Sequence, residues 1–231
     1  YTTLASLGLT MMLVGIAFKL SLAPFHIWTP DVYEGAPAPA AAFLSTVSKI
    51  AVFAMLVRLV QFAPFKDSSW LVITVTVMAI ISILVGNLGA LLQNNLKRLL
   101  AYSSIAHFGY LLTVLLVRPE DMVEATGVYL VTYVITVLGA FGIISLMSKP
   151  YQDNGRDADA LYNYRGMFWK RPLLTVAFSV IMLSLAGIPL TAGFIGKFHV
   201  IAVAVYAQQW WLVGAIILGS AIGLYYQPRV L

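Results

Sequence analysis

The chain has 231 residues, of which 61% are hydrophobic and 10% are charged, and its net charge is +5 at pH 7. An ordinary soluble domain carries roughly 25% charged residues, so a soluble fold of this composition would lack the polar residues needed to cover its surface. The complete lack of cysteine excludes disulfides, thiolate zinc sites and cysteine-ligated iron–sulfur clusters within this sequence. The composition therefore predicts an all-α membrane protein, with no basic stripe that would bind nucleic acid.

Apolar segments long enough to cross a bilayer recur along the chain. A spanning helix needs about 20 mostly apolar residues, and we predict seven spans, over 4–30, 39–62, 69–91, 96–117, 122–147, 173–206 and 209–226. The first should be interrupted near Pro24. The sixth has some 34 residues and would extend roughly 50 Å against a hydrocarbon core of about 30 Å. We expect Pro189 and its neighbouring glycines to break it within 186–193.

The two interrupted spans predict an internal repeat. Broken helices persist in a membrane only where protein or a water-filled cavity satisfies their backbone groups, and paired breaks indicate an ion or substrate path. Because the breaks lie five spans apart, a five-helix repeat would have to be inverted. We expect residues 1–62 to hold the last two helices of one repeat and residues 63–231 to hold a second, five-helix repeat. The alternative is that proline and glycine merely kink packed helices.

The loops divide the basic residues unequally between the two sides of the membrane. One side receives eight, namely Lys97, Arg98, Lys149, Arg156, Arg165, Lys170, Arg171 and Arg229. The other receives three, namely Arg58, Lys66 and Arg118. The excess predicts that the first side is cytoplasmic. It includes the loop 148–172, whose mixed charges indicate a solvated connector. Because the chain starts at Tyr1 with no signal peptide, we interpret it as an internal piece of a longer protein.

Three lysines, Lys19, Lys49 and Lys197, lie within apolar runs. A lysine at the middle of a membrane costs roughly 2.5–3.5 kcal/mol on insertion scales, although one near the end of a span can extend to the interface. Eight of the nine acidic residues lie in loops or at span edges, so these lysines have no obvious acidic partner. A lysine balanced between desolvation, which favours its neutral form, and a carboxylate, which favours its charged form, can relay protons. We expect all three lysines in one layer near mid-membrane depth.

Lys97 and His107 are secondary candidates for the same relay. Lys97 begins the fourth span and His107 lies about three turns deeper, so together with Ser103 and Ser104 they could form a polar track towards the centre. Alternatively, Lys97 anchors the end of the span and His107 is an ordinary core histidine. The scattered histidines and the lack of a glycine-rich phosphate loop predict no metal and no cofactor in this chain.

The run F-K-L-S-L-A-P-F-H-I-W-T-P-D-V-Y-E-G-A-P at 18–37 resembles the antiporter-like membrane subunits of proton-pumping NADH–quinone oxidoreductase, respiratory complex I. Its P-F-H-x-W-x-P-D core is shared with multisubunit sodium/proton antiporters, whereas the continuation V-Y-E-G-A-P is similar to one complex I subunit in particular. The segments 95–105 and 185–194 also match family motifs. The resemblance extends over essentially the whole chain.

This resemblance implies a fold of fourteen helices in two inverted repeats, of which the chain would supply helices seven to thirteen. It implies that Lys19 on broken helix seven, Lys49 on helix eight and Lys197 on broken helix twelve belong to a buried polar axis. Lys19 would pair with a glutamate on helix five, which is absent from this sequence. The implied partners are other membrane-arm subunits and the lipid bilayer, in a bacterial inner membrane.

The function implied is that of a proton-translocating subunit without a redox centre. It would relay protons through the buried lysines and water-filled half-channels, driven by redox chemistry elsewhere in its complex. A component of a sodium/proton antiporter is the main alternative. A passive assembly scaffold is a third, which the cost of placing lysines in three spans disfavours.

Overall fold

The computed structural model describes residues 2–62, 69–147, 159–164 and 166–228. Within these ranges the chain forms eleven α-helices and a short 3-10 helix at Leu161–Tyr164. The helices are α1 Thr2–Leu20, α2 Trp28–Gly35, α3 Ala38–Ser45, α4 Val47–Phe62, α5 Ser69–Leu91, α6 Leu96–Val114, α7 Pro119–Met147, α8 Met167–Lys170, α9 Pro172–Ala186, α10 Ala192–Tyr206 and α11 Trp210–Tyr226. An all-helical fold, as expected from the sequence, is confirmed.

Three helical segments are long and apolar enough to cross a membrane: Ala38–Gln61, Ser69–Leu91 and Pro119–Met147. Shorter apolar helices cover Ser6–Leu20, Pro172–Ala186, Ala192–Tyr206 and Trp210–Tyr226. These helices, together with α6, lie where the seven spans were predicted. The count of seven spans and the inverted repeat remain predictions.

The central element of the fold is α6. It packs most extensively against α5 and also contacts α2, α3, α7, α10 and α11, so it is buried on all sides rather than along one stripe. The side chain of Asn95 accepts a hydrogen bond from the backbone N–H of Arg98 at 3.1 Å and caps the start of the helix. This position places Ser104 and His107 in the interior of the protein.

The close approach of α5 and α6 depends on Gly86. A Cβ added there would lie 2.5 Å from the backbone nitrogen of Ala106 and 2.8 Å from the carbonyl oxygen of Tyr102, both of which are main-chain atoms. We expect Gly86→Ala to lower the free energy of unfolding by about 1–3 kcal/mol through overpacking, seen as a lower thermal midpoint in detergent. Gly127→Ala in α7 is the control, since no atom lies within 4 Å of its added Cβ and alanine favours a helix. Equal midpoints would contradict this packing.

The predicted break near Pro24 occurs between α1 and α2. Helix α1 ends at Leu20, and Ser21 adopts a positive φ of 62°. The freed groups find partners within the protein: the N–H of Ala23 donates to Ser82 Oγ at 3.0 Å, and Thr29 Oγ1 donates to Ser21 Oγ at 2.6 Å. This internal satisfaction is what a membrane interior requires of an interrupted helix.

The predicted break at 186–193 separates α9 from α10. Gly187 has a φ of 80° and its N–H donates to the carbonyl of Leu183 at 3.1 Å, which closes the helix in the usual left-handed glycine cap. Across the break, the N–H of Gly193 donates to Ser184 Oγ at 3.0 Å. The carbonyls of Leu185 and Ala186 point away from α9 without a helical donor, and they become part of the functional site.

A bend inside the second predicted span was not expected. Helix α3 ends at Ser45 and α4 begins at Val47, because Thr46 has φ −110° and ψ −83°. The hydroxyls of Ser45 and Thr46 both donate to the carbonyl of Ala42, at 2.9 and 2.7 Å. Such local side-chain bonds compete with the regular helical ladder and bend it. Lys49 therefore lies in the first turn after the bend.

The loop 148–172 was expected to be a solvated connector, and this is wrong for residues 159–164. The N–H of Leu96 donates to the carbonyl of Asp159 at 2.9 Å, and the N–H of Leu161 donates to the carbonyl of Asn94 at 2.8 Å. This segment therefore docks on the start of α6 and is stabilised by backbone pairing. Residues 148–158 and 165, with the predicted cytoplasmic charges Lys149, Arg156 and Arg165, lie outside the described residues, as do Lys66 and Arg229.

Candidate functional site

Lys49 is fully enclosed, with 1% of its surface exposed. Its Nζ donates to Ser104 Oγ at 2.9 Å and lies over the rings of Phe108, at 5.1 Å, and Tyr33, at 5.7 Å. The hydroxyl of Tyr133 is also hydrogen bonded to Ser104 Oγ, at 2.9 Å. A hydroxyl and two aromatic faces stabilise an ammonium group without neutralising it, so the charge of Lys49 remains uncompensated by these contacts.

Lys197 is buried against the end of a helix. Its Nζ donates to the carbonyl oxygens of Leu185 and Ala186, both at 2.9 Å. These are among the last carbonyls of α9, which a helix leaves without partners, and the C-terminal end of a helix dipole attracts a cation. The break between α9 and α10 therefore creates the binding site for this ammonium group. Tyr110 presents its ring 5.4 Å from Nζ.

His107 lies between the surroundings of the two lysines. Its Nδ1 is hydrogen bonded to the hydroxyl of Tyr129 at 2.6 Å, in a geometry that either tautomer can satisfy. Its ring centroid is 5.4 Å from that of Tyr133, which bonds the Ser104 of the Lys49 site, and 5.8 Å from that of Tyr110, which faces Lys197. The expectation that His107 lies deep within a polar region is consistent with this geometry.

A small cavity adjoins this group. It measures about 10 Å³ and is lined by His107, Tyr129, Thr132, Tyr133, Thr136, Ser184, Leu185 and Gly193. This volume is about what one water molecule needs, and the lining offers hydroxyls and an imidazole as partners. The cavity therefore connects the His107 region with the α9–α10 break that holds Lys197.

The ion pairs of the described ranges lie elsewhere. They join Lys97 to Asp159 and Arg98 to Asp31 and Glu34. None of these pairs, within the described residues, includes Lys49 or Lys197.

Lys19 differs from the other two lysines because its side chain is exposed at the end of α1. The face of α1 around it is also exposed and apolar, with Leu7, Met11, Val14 and Phe18 on the surface. The structure therefore does not bring Lys19 into the group formed by Lys49, His107 and Lys197. Its membership of the relay remains a prediction.

Lys97 is held in an ion pair at the start of α6, and its role in the relay remains a prediction. Its Nζ lies 2.8 Å from Asp159 Oδ2 and donates to the carbonyl of Ala36 at 3.0 Å, and the two charged side chains are 9% and 8% exposed. Lys97 thus joins three segments at one point: the link between α2 and α3, the start of α6 and the segment 159–164. Lys97 is arranged as an ion-paired positioning group, whereas Ser104 of the proposed track serves Lys49.

Several partners in the site were missed from the sequence. Ser104 had been included in a track from Lys97, but Tyr110, Tyr129 and Tyr133 had not been singled out. A signal for two of the tyrosines was present, because Tyr129 and Tyr133 are four residues apart and face the same side of a helix. The backbone carbonyls that bind Lys197 could not be recognised from the sequence, because every residue has a carbonyl group.

The arrangement brings together groups that can gain, lose or pass on a proton. The imidazole of His107 contacts a tyrosine from the surroundings of each buried amine, and a water-sized cavity with hydroxyls in its lining adjoins that imidazole. Such a set can carry a proton through an apolar interior. Such chemistry is suited to an ion-translocating membrane protein.

Comparison with known proteins identifies this class. The family model described as "NADH:quinone oxidoreductase/Mrp antiporter, TM" matches residues 2–223. The chain belongs to this family of multi-pass membrane proteins, and the resemblance noted in the sequence is confirmed.

Comparison with individual relatives gives a more specific likeness than the family model does. The chain is 68% identical to a protein named NADH-quinone oxidoreductase subunit N from Ectopseudomonas mendocina (strain ymp), over 99% of this chain and 46% of that protein. A chain of respiratory complex I from Thermus thermophilus with bound aureothin is 42% identical with a TM-score of 0.82, over 96% of this chain and 48% of that one. A chain of the Mrp complex from Dietzia sp. DQ12-45-1b has a TM-score of 0.88 at 24% identity, over 99% of this chain and 42% of that one, which shows a shared fold alone. The chain spans about half the length of the relatives it matches.

Proposed function

We propose that this chain is part of subunit N of a proton-translocating NADH–quinone oxidoreductase and that it relays protons through buried lysines. The observation that carries the proposal is the pair Lys49 and Lys197, each enclosed and each held by neutral oxygen atoms. Both sit beside an irregular backbone segment, the Thr46 bend and the α9–α10 break. Family membership supplies the redox context, since the close relatives carry that subunit's name.

In this mechanism the two amines alternate between charged and neutral forms. Burial opposes each charge, while Ser104 and the two aromatic rings favour it at Lys49, and the α9 carbonyls favour it at Lys197. Like charges in a low-dielectric interior also repel, so a charge on one amine disfavours a charge on the other. A proton arriving at one site therefore promotes its release from another, and His107 with its cavity is the path between them.

Lys19 enters this proposal through a part of the protein outside this sequence. The exposed apolar face of α1 and the exposed ammonium group are what a neighbouring helix bundle would cover. We assign that role to the preceding helices of the same subunit, which would supply a glutamate to pair with Lys19. An acid that approaches or withdraws would then change the charge of Lys19, and the change would pass electrostatically to Lys49.

The wider setting follows from the same assignment. The subunit would lie among other membrane-arm subunits in a bacterial inner membrane, with the start of α6 and the segment 159–164 on the cytoplasmic side. Redox chemistry would take place in other subunits, because the sequence has no cysteine ligands for iron–sulfur clusters. Residues 1–62 and 63–231 would belong to two inverted repeats.

A sodium/proton antiporter component is the second candidate, favoured by the fold shared with the Mrp complex chain. The two functions differ in two respects: the proposed subunit is driven by redox chemistry, whereas an antiporter is driven by an ion gradient and exchanges sodium for protons. The test uses the complete complex in sealed vesicles, with proton uptake followed by a pH-sensitive dye. The proposal predicts NADH-driven, quinone-dependent acidification that does not change when sodium is replaced by potassium. Proton flux that needs a sodium gradient and not NADH would favour the antiporter instead.

A further inference from the structure

The short helix α2 brings an aromatic side chain into the Lys49 site, while its acidic side chains lie near the surface. Asp31 and Glu34 are three residues apart and share one face of the helix, and both pair with Arg98 at the start of α6. Tyr33 lies on the other side of α2, and 0% of its surface is exposed. One eight-residue helix thus connects a partly exposed charge cluster with a buried lysine.

Helical continuity does not fix the position of α2 at either end. Helix α1 ends at Leu20, and turns separate it from Trp28, where α2 begins. After α2, Ala36 and Pro37 have ψ angles of 149° and 144°, far from the helical value. A helix of eight residues is marginal in isolation, so α2 depends on its contacts with the rest of the fold. The two ion pairs of Arg98, at 2.6 and 2.7 Å, are such contacts with α6.

The Lys49 ammonium group has three N–H donors and three neighbours that favour its charge. Ser104 Oγ accepts a hydrogen bond from it, and the rings of Phe108 and Tyr33 have their centroids 5.1 and 5.7 Å from Nζ. Ser104 and Phe108 both belong to α6, whereas Tyr33 comes from α2. A shift of α2 away from α6 would therefore remove one of the three neighbours and leave the other two in place.

The ring of Tyr33, rather than its hydroxyl, is what α2 supplies to the lysine. The hydroxyl oxygen is buried and makes no hydrogen bond with the described residues. The negative face of an aromatic ring attracts a cation, most strongly where both are removed from water. The edge-to-face contact of Tyr33 with Phe141 of α7, with centroids 6.1 Å apart, adds packing to the same ring. Its attraction for the ammonium group and its packing can therefore be tested separately.

We propose that Arg98 and Tyr33 are positioning residues for Lys49, joined to each other by α2. Arg98 holds α2 through Asp31 and Glu34, and α2 in turn holds the ring against the ammonium group. This inference rests on the proposed function of Lys49. The ring attracts the charged form of the amine and not the neutral form, so the ion pairs at the start of α6 set how readily the buried amine takes up a proton.

Changing the charge distribution of the ring without changing its shape gives the sharpest test. Tyr33→Leu removes the ring and should slow NADH-driven pumping by the complete complex about fivefold per assembled complex. Tyr33→Phe keeps the ring and should restore most of this loss. Trifluorophenylalanine at position 33 has nearly the shape of phenylalanine but a ring face that attracts a cation only weakly, so it should pump as slowly as Tyr33→Leu. If it pumps like Tyr33→Phe instead, the ring acts by packing alone and the proposal is wrong.

Phe141→Leu is the matched control for loss of packing. Phe141 is 1% exposed and its ring contacts that of Tyr33, so this change takes an aromatic ring from the same cluster but keeps the ring that faces Lys49. It should lower the thermal midpoint about as much as Tyr33→Leu does, with normal pumping per assembled complex. Equal slowing of pumping in the two leucine variants would overturn the proposal.

Arg98→Met tests the other end of α2. It should slow pumping about twofold, because α2 loses two partly exposed ion pairs and holds the ring less closely. Since Arg98 is proposed to act through the ring, Arg98→Met added to Tyr33→Leu should cause no further slowing. Normal pumping in Arg98→Met, or slowing that adds to that of Tyr33→Leu, would exclude the coupling of Arg98 to Lys49 through α2.

Lys49→Met separates a failure of this inference from a failure of the proposed function. If Lys49→Met abolishes pumping while Tyr33→Leu and Arg98→Met pump normally, only the positioning role of α2 is excluded. If Lys49→Met itself pumps normally, the proposed function of Lys49 fails as well.

Discussion

Replacing Lys49 with methionine is expected to lower NADH-driven proton translocation by about tenfold or more, while the complex still assembles. The substitution keeps the bulk of the side chain and removes a charge that is 1% exposed and has no carboxylate partner among the described residues. Ser104 and Tyr133 would remain hydrogen bonded to each other at 2.9 Å, so no polar group is abandoned. Proton uptake by inverted vesicles and complex content on native gels are the two measurements.

Two further variants define what the Lys49 result means. Lys49→Arg keeps a positive charge but cannot release its proton at physiological pH, so it should not restore pumping. Arg58→Met removes a cation from an exposed position of the same helix and should pump normally. Full activity in Lys49→Met would remove this lysine from the proton path, and loss of assembly would favour a scaffold role for the subunit.

The ion pair between Lys97 and Asp159 should have the largest effect on stability. Asp159→Asn takes the carboxylate away from the buried Lys97 ammonium group, and Lys97→Met takes this cation away from Asp159. We expect either change to lower the free energy of unfolding by about 3–5 kcal/mol. The exposures of 9% and 8% for the two side chains justify treating the pair as buried. The double variant Lys97→Met with Asp159→Asn should recover part of the loss, because both charges of this pair are then removed.

A neighbouring ion pair supplies the control for this prediction. Arg98 pairs with Asp31 at 2.6 Å and with Glu34 at 2.7 Å, but the three side chains are 29%, 66% and 37% exposed. Arg98→Met should therefore cost at most about 1 kcal/mol for each pair. The midpoint of thermal unfolding of the solubilised protein measures both effects. Equal midpoints for Lys97→Met and Arg98→Met would show that the Lys97–Asp159 pair does not hold the start of α6. Lost pumping in a stable double variant would return Lys97 to the list of relay residues.

The breaks in the fold could be predicted where proline and glycine cause them. Pro24 and the Gly187–Pro189 stretch interrupt a helix through covalent geometry, which is a local property of the sequence. The bend at Thr46 could not be predicted in this way. Serine and threonine are tolerated in many membrane helices, and whether their hydroxyls bend the helix depends on packing around Ala42.

In the candidate site, too, some features could be predicted from local sequence and others depended on tertiary contacts. Lys49 and Lys197 could be predicted because a charge in an apolar run is costly wherever the helix packs. Their partners could not, because Ser104 is 55 residues from Lys49 in sequence and the atoms that bind Lys197 are backbone carbonyls. Asp159 was misjudged for a related reason: its loop is polar in composition, and Asp159 is buried by the tertiary docking of its segment on the start of α6.

The most direct test of a lysine relay is the number of protons translocated per NADH oxidised in sealed vesicles that contain the complete complex. The ratio should be measured for the wild type, Lys49→Met, Lys197→Met and the double variant, and normalised to the amount of assembled complex. A single relay through both lysines predicts that each single variant lowers the ratio by the same amount and that the double variant lowers it no further. An unchanged ratio in both single variants would contradict the proposal that these lysines carry the protons.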